Sequence, residues 1–116
     1  MQIITSITEQ PKQSFTLRLE NNEVATMRLY YYASQSSWYF DIEYNGRANN
    51  GNKVVLTPNA LRHLKRLIPF GIGFISESNA DPFELDAFTS GKVVMLLLNQ
   101  EDVNNIEDVI YNEPAK

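Results

Sequence analysis

Three successive stretches of this chain alternate apolar with polar residues, and that period of two restricts the fold more than any other feature. Phe15, Leu17 and Leu19 alternate with Thr16, Arg18 and Glu20. Ala25, Met27, Leu29 and Tyr31 alternate with Thr26, Arg28, Tyr30 and Tyr32. Trp38, Phe40, Ile42 and Tyr44 alternate with Tyr39, Asp41, Glu43 and Asn45. Successive side chains of a strand point to opposite faces, so each run predicts a strand with one face on a core. Asn21-Asn22 and the polar stretch Ser34 to Ser37 separate the runs. Asparagine tolerates the positive φ of a tight turn. Alternating runs joined by short turns predict an antiparallel meander.

The rest of the chain is punctuated differently. Asn45 to Asn52 reads as a polar, exposed loop marked by glycines, and Lys53 to Leu56 as a short strand. Thr57 can cap a helix, and Pro58 suits the first helical position, where its missing N–H is not needed. Leu61, Leu64, Leu67 and Ile68 then share a face, and Pro69 is a stop, so one short α-helix is predicted over about Pro58–Ile68. Gly71 to Ser76 predicts a strand whose glycines mark a bend or a close backbone approach. Asn79 to Phe83 reads as a turn; Glu84 to Phe88 is open between strand and short helix. Lys92 to Leu98 is apolar on both faces, which predicts a central or sandwiched strand. Val103, Ile106, Val109 and Ile110 are spaced for a small helix or a clinging tail, and Asn112 to Lys116 reads as loose. The sum is a mainly β protein, a small antiparallel β-barrel or sandwich with one short α-helix. Closure hides sheet edges, so the barrel is favoured.

Composition narrows what such a domain can do. The 116 residues predict a single domain with a sizeable core. The absence of cysteine removes disulfides, thiol catalysis and Cys-ligated metals, and a single histidine removes a multi-histidine site within one chain. Residues 1–66 carry eight basic and five acidic side chains, a balance of +3. Residues 67–116 carry two and nine, a balance of -7, and the two balances sum to the net -4. Such a split suits head-to-tail or ring contacts between proteins. The net charge of -4 argues against a dedicated nucleic-acid binder. Met1 to Gln10 has neither the basic start nor the apolar run of a signal peptide. The apolar run Val93 to Leu98 is far shorter than the ~20 residues that span a bilayer. Synthesis and first folding in a cytoplasm are expected.

No constellation of side chains predicts catalysis. The acidic pairs lack the pattern of a calcium loop or a sugar cleft. His63 has basic neighbours and no orienting partner or nucleophile, and reads as a surface residue. Gly71-Ile72-Gly73 is no phosphate loop, since its helix precedes it and it lacks the lysine. Exposed tyrosines on a strand face are typical interface anchors. They can also stack single-stranded bases, but a positive groove is then needed, and Asp41 and Glu43 share the face of Tyr39. Candidate contact residues are therefore Tyr30, Tyr32 and Tyr39, the basic cluster Arg62, Lys65 and Arg66, and the acidic residues Asp81, Glu84 and Asp86. No catalytic, cofactor-binding or metal-binding residue is expected.

One order of features goes further. Pro11-x-Gln13-x-Phe15-x-Leu17-x-Leu19 is followed by Leu29-x-Tyr31, by Trp38-Tyr39-Phe40-Asp41-Ile42 and by a glycine loop. Leu67-Ile68-Pro69 comes next, then Asp81-Pro82-Phe83-Glu84-Leu85-Asp86-Ala87-Phe88 and a closing strand Val93 to Leu98. In this order the chain resembles the phage baseplate plug family, small proteins of contractile-tailed bacteriophages. The resemblance runs from about Gln2 to Asp102, which implies a plug-like domain over residues 1–102 and an acidic tail over 103–116. It implies a structural virion protein of the tail baseplate, made in the host cytoplasm, that fills or connects the central hub and tail tube region. It implies neither catalysis nor a metal or cofactor. The implied partners are other tail proteins (hub, tail tube, spike) and further copies of itself, with no membrane and no direct nucleic acid. The alternative is a small OB-like barrel that binds single-stranded nucleic acid.

Overall fold

A computed structural model describes residues 1–20, 22–76 and 84–111. The alternating runs form the strands they predict. Strands β2 (Lys12–Arg18), β3 (Val24–Tyr32) and β4 (Ser37–Tyr44) make an antiparallel meander, and β5 (Arg47–Lys53) extends it to a four-stranded sheet. A second sheet has the order β1-β7-β6, with β1 at Gln2–Ile3, β6 at Gly71–Ile75 and β7 at Val94–Leu98. A helix, α1 (Gln100–Val109), follows β7 directly.

Parity decides the core. Leu17 faces Ala25, Met27 faces Ile42 and Leu29 faces Phe40 across the first sheet, and these inward side chains are buried. Ile72, Phe74, Met95 and Leu97 close the core from the second sheet. The rings of Phe40 and Phe74 meet at 5.7 Å between centroids, linking the sheets. Each such side chain contributes about 1.5–3 kcal/mol by leaving water. β7 is the middle strand of its sheet, as its apolar faces require. Met95 and Leu97 point into the core, while Leu96 and Leu98 pack with Val103 and Ile106 of α1.

Three expectations need correction. The favoured barrel is not formed: the sheets stay separate, and the architecture is a sandwich with α1 outside the smaller sheet. Second, Asn45–Asn52 is not a loop but a hairpin. Asn45 and Gly46 take φ of 52° and 78°, the left-handed pair that a two-residue turn uses, and Tyr44 pairs with Arg47. Third, Pro58–Ile68 forms no α-helix.

 Its apolar spacing is unbroken, yet its backbone forms tight turns around a short 3-10 helix at Arg62–Leu64. Arg62, Leu64, Lys65 and Leu67 each donate to the carbonyl three residues back. The first N–H groups are taken by tertiary partners: Ala60 N–H donates to the Ile72 carbonyl at 2.6 Å, and Leu61 N–H to Asn59 Oδ1 at 3.0 Å. Thr57 and Phe74 exchange backbone bonds across β6. Among the described residues the α-helix is α1, where Val103 and Ile106 sit.

The glycines of β6 serve this close approach. A Cβ on Gly73 would lie 2.7 Å from the Pro58 carbonyl oxygen, and one on Gly71 would lie 2.6 Å from Asn59 Oδ1. Asn59 Oδ1 also accepts the Ile72 N–H at 3.2 Å, so this buried amide joins the turn to β6. Lys53 ends β5, and Val54 beyond it is buried. Glu84 to Phe88 resolves as turns, with Ala87 N–H donating to the Glu84 carbonyl at 3.1 Å. Asn21, Asn79 to Phe83 with Asp81, and Asn112 to Lys116 lie outside the described residues.

Candidate functional site

The three candidate tyrosines stand together on the outer face of the four-stranded sheet. Their even–odd position opposes that of Leu29, Trp38 and Phe40, so burying those residues turns Tyr30, Tyr32 and Tyr39 outward. Tyr30 and Tyr39 are directly paired across β3 and β4 and stack at 6.0 Å; Tyr32 meets each of them at 5.4 Å. Tyr32 is the most open of the three, and the Tyr39 hydroxyl donates to Gln35 Oε1 at 2.5 Å.

A polar network holds this patch. The Tyr30 hydroxyl donates to Asp41 Oδ1 at 2.8 Å, the Gly51 N–H donates to the same oxygen at 2.7 Å, and Arg28 Nε reaches Oδ2 at 3.3 Å. Burial and the Asp41 carboxylate push the Tyr30 hydroxyl up to about 12, so it stays a donor. Burial also pushes the Asp41 carboxyl up, but the Gly51 N–H, the Tyr30 hydroxyl and Arg28 outweigh it and hold it below its ordinary value. Lys12, Ser14, Arg28 and Asp41 border a hollow beside Tyr30 and Tyr32. Cations and a carboxylate thus share this face.

The basic candidates divide. Arg62 Nε donates to Glu107 Oε2 at 2.8 Å and Lys65 Nζ to Oε1 at 2.5 Å. Glu107 is fully buried, and the Arg62 guanidinium lies 3.8 Å from the Tyr111 ring centre. These two cations therefore fasten α1 to the turn region. Arg66 and His63 are exposed. Among the acidic candidates, Glu84 pairs with Lys92 at 2.9 Å, and its main-chain carbonyl accepts the buried Trp38 indole N–H at 3.0 Å. The Glu84 carboxylate raises the Lys92 ammonium above its ordinary value. Asp86 is exposed, and Leu85 between them is also open to solvent. The tyrosines sit on a sheet face, the cations at α1, and Glu84 and Asp86 beyond Trp38, so these are separate surfaces. Glu107 is the one member of the charged network that periodicity does not single out, since its partners lie 42 and 45 residues away.

The fold is thus a two-sheet sandwich with an aromatic patch on one outer face. A family model described as "cyanophage baseplate Pam3 plug gp18" matches residues 1–101. The chain belongs to this family of phage baseplate plugs, and its role is that of a structural baseplate component. No curated protein matches the chain.

Proposed function

We infer that this protein fills or connects the central hub and tail tube region of a contractile phage tail baseplate, acting through protein contacts alone. The observation that carries this reading is the family match over residues 1–101, which takes in both sheets. The plug-like unit spans residues 1–102, and residues 103–116 are an acidic extension to it. The work is mechanical and needs no catalysis, metal or cofactor. Hub, tail tube and spike proteins are the partners, and several copies act in one particle. The candidate contact residues are Tyr30, Tyr32 and Tyr39 on the sheet face, Arg62, Lys65 and Arg66 near α1, and Asp81, Glu84 and Asp86. Because Arg62 and Lys65 hold Glu107, the exposed Arg66 and Tyr32 are the residues whose replacement tests contact without disturbing the fold.

The test is made on particles. A stop codon at Trp38 in the phage genome, followed by negative-stain electron microscopy of the lysate, should give tails that lack intact baseplates. Supplying the protein in trans should restore them. Normal infectious particles would overturn the reading and turn attention to single-stranded nucleic acid.

A further inference from the structure

We propose that copies of this chain join head to tail, with the Glu84-Leu85-Asp86 knob of one copy seated in the apolar hollow between the β4–β5 hairpin and the turn at Leu64–Phe70 of the next. The proposal rests on the multi-copy baseplate reading above and names one of its contacts.

The hollow encloses about 440 Å³ and is lined by Tyr44, Arg47, Ala48, Leu64, Leu67 and Phe70 among others. Tyr44 and Phe70 form its wall, with rings edge-on at 5.3 Å. Leu67 is 57% exposed, an open apolar side chain at the rim. The cation Arg47 lies in the lining, and the exposed Arg66 directly precedes Leu67. A fitting partner is an apolar side chain flanked by carboxylates.

This chain carries such a group. Leu85 is 43% exposed and stands between Glu84 and Asp86. Glu9 borders the same small hollow as these three residues. Among the described residues, Glu9, Glu84 and Asp86 set three negative charges against the one positive charge of Lys92. The knob is therefore acidic, while the border of the hollow sets Arg47 and Arg66 against the carboxylate of Glu23, which accepts the Tyr44 hydroxyl at 2.7 Å, and this difference favours encounter in one orientation.

Position excludes contact within one copy. The Trp38 indole binds the Glu84 carbonyl at the start of β4, whereas Tyr44 ends β4 at the hollow. Six strand steps separate them, about 20 Å. The two surfaces are different patches at opposite ends of the sandwich, so their union is heterologous and builds a ring or a stack.

Because the chain has no cysteine, engineered thiols report the contact cleanly. L85C and L67C variants of the full chain would be mixed, oxidised and resolved on non-reducing gels. Dimers containing one copy of each should form in the mixture and be scarce with either variant alone. Cross-linking no greater in the mixture than in the separate variants would overturn the proposal. Sedimentation at millimolar protein gives a second measure. L85D should weaken self-association about 30-fold, as loss of a central anchor does. R47E and D86K should each weaken it about fivefold, as exposed charges do, and mixing R47E with D86K should recover part of the loss. Self-association that these variants leave unchanged would also overturn it. Either failure leaves the baseplate role standing, since that is read from particles.

Discussion

Residues 57–69 and 100–110 both carry apolar side chains at helical spacing, and only the second stretch is an α-helix. The difference lies in where their first N–H groups go. At α1, Asn99 accepts the Asp102 N–H at 2.7 Å and the Asp102 carboxylate accepts the Asn99 N–H at 3.1 Å, a reciprocal cap. Glu101 and Asp102 also place negative charge at the positive end of the helix. In the first stretch, Thr57 and Ala60 bond to β6 instead, and Asn59 takes the Leu61 N–H. Pairing with a neighbouring strand prevails over helical periodicity there. The two stretches are then tied together by Glu107, which belongs to one and binds cations of the other.

Breaking that tie should have the largest effect. E107A leaves Arg62 and the largely buried Lys65 without their shared carboxylate, and should cost about 3–5 kcal/mol in denaturant unfolding. The same joint sets an acid dependence. Burial pushes the Glu107 carboxyl up, but Lys65 and Arg62 outweigh it and hold the group below its ordinary value. A depressed value means the stabilisation is full above the unfolded value of about 4.3. It is lost as pH falls through the folded value. Unfolding measured across the acid range should show a shallower decline for E107Q than for the native chain.

The turn region is tested next. G71A forces a Cβ against the Asn59 amide, which cannot move without giving up two backbone bonds. A loss of about 1–3 kcal/mol is expected from thermal or denaturant melts. A smaller effect is expected at the helix cap, where N99A should cost about 1 kcal/mol and speed amide exchange in α1 ahead of the sheets. The smallest belongs to R66E. It lies on an exposed position in the same turns, and its stability should stay within about 0.5 kcal/mol of the native chain. An R66E loss as large as that of E107A would show that the basic cluster acts as one unit rather than as two fastened cations and an open one.

The meander was legible because burial imposes a period of two on β2, β3 and β4, and the outward placement of Tyr30, Tyr32 and Tyr39 follows from the same parity. β5 was not legible in that way. Apart from Ala48 and Gly51 its residues Arg47–Lys53 are polar, because an edge strand is held by its backbone bonds to β4 and buries little. The signal present was Asn45-Gly46, the two-residue turn itself. The tyrosine patch could be read from sequence as a shared face, but not the Asp41 network that fixes Tyr30, since Gly51 joins it through the unrecognised strand.

Sequence alone determined which residues enter the core of the first sheet and that β7 must be covered on both sides, because these follow from local alternation and from the cost of exposing apolar surface. Tertiary structure decided that the sheets form a sandwich, that residues 58–68 lie as turns along β6, and that Arg62 and Lys65 face inward to Glu107. Those outcomes depend on hydrogen bonds and ion pairs between residues far apart in the chain, and no local period encodes such partners.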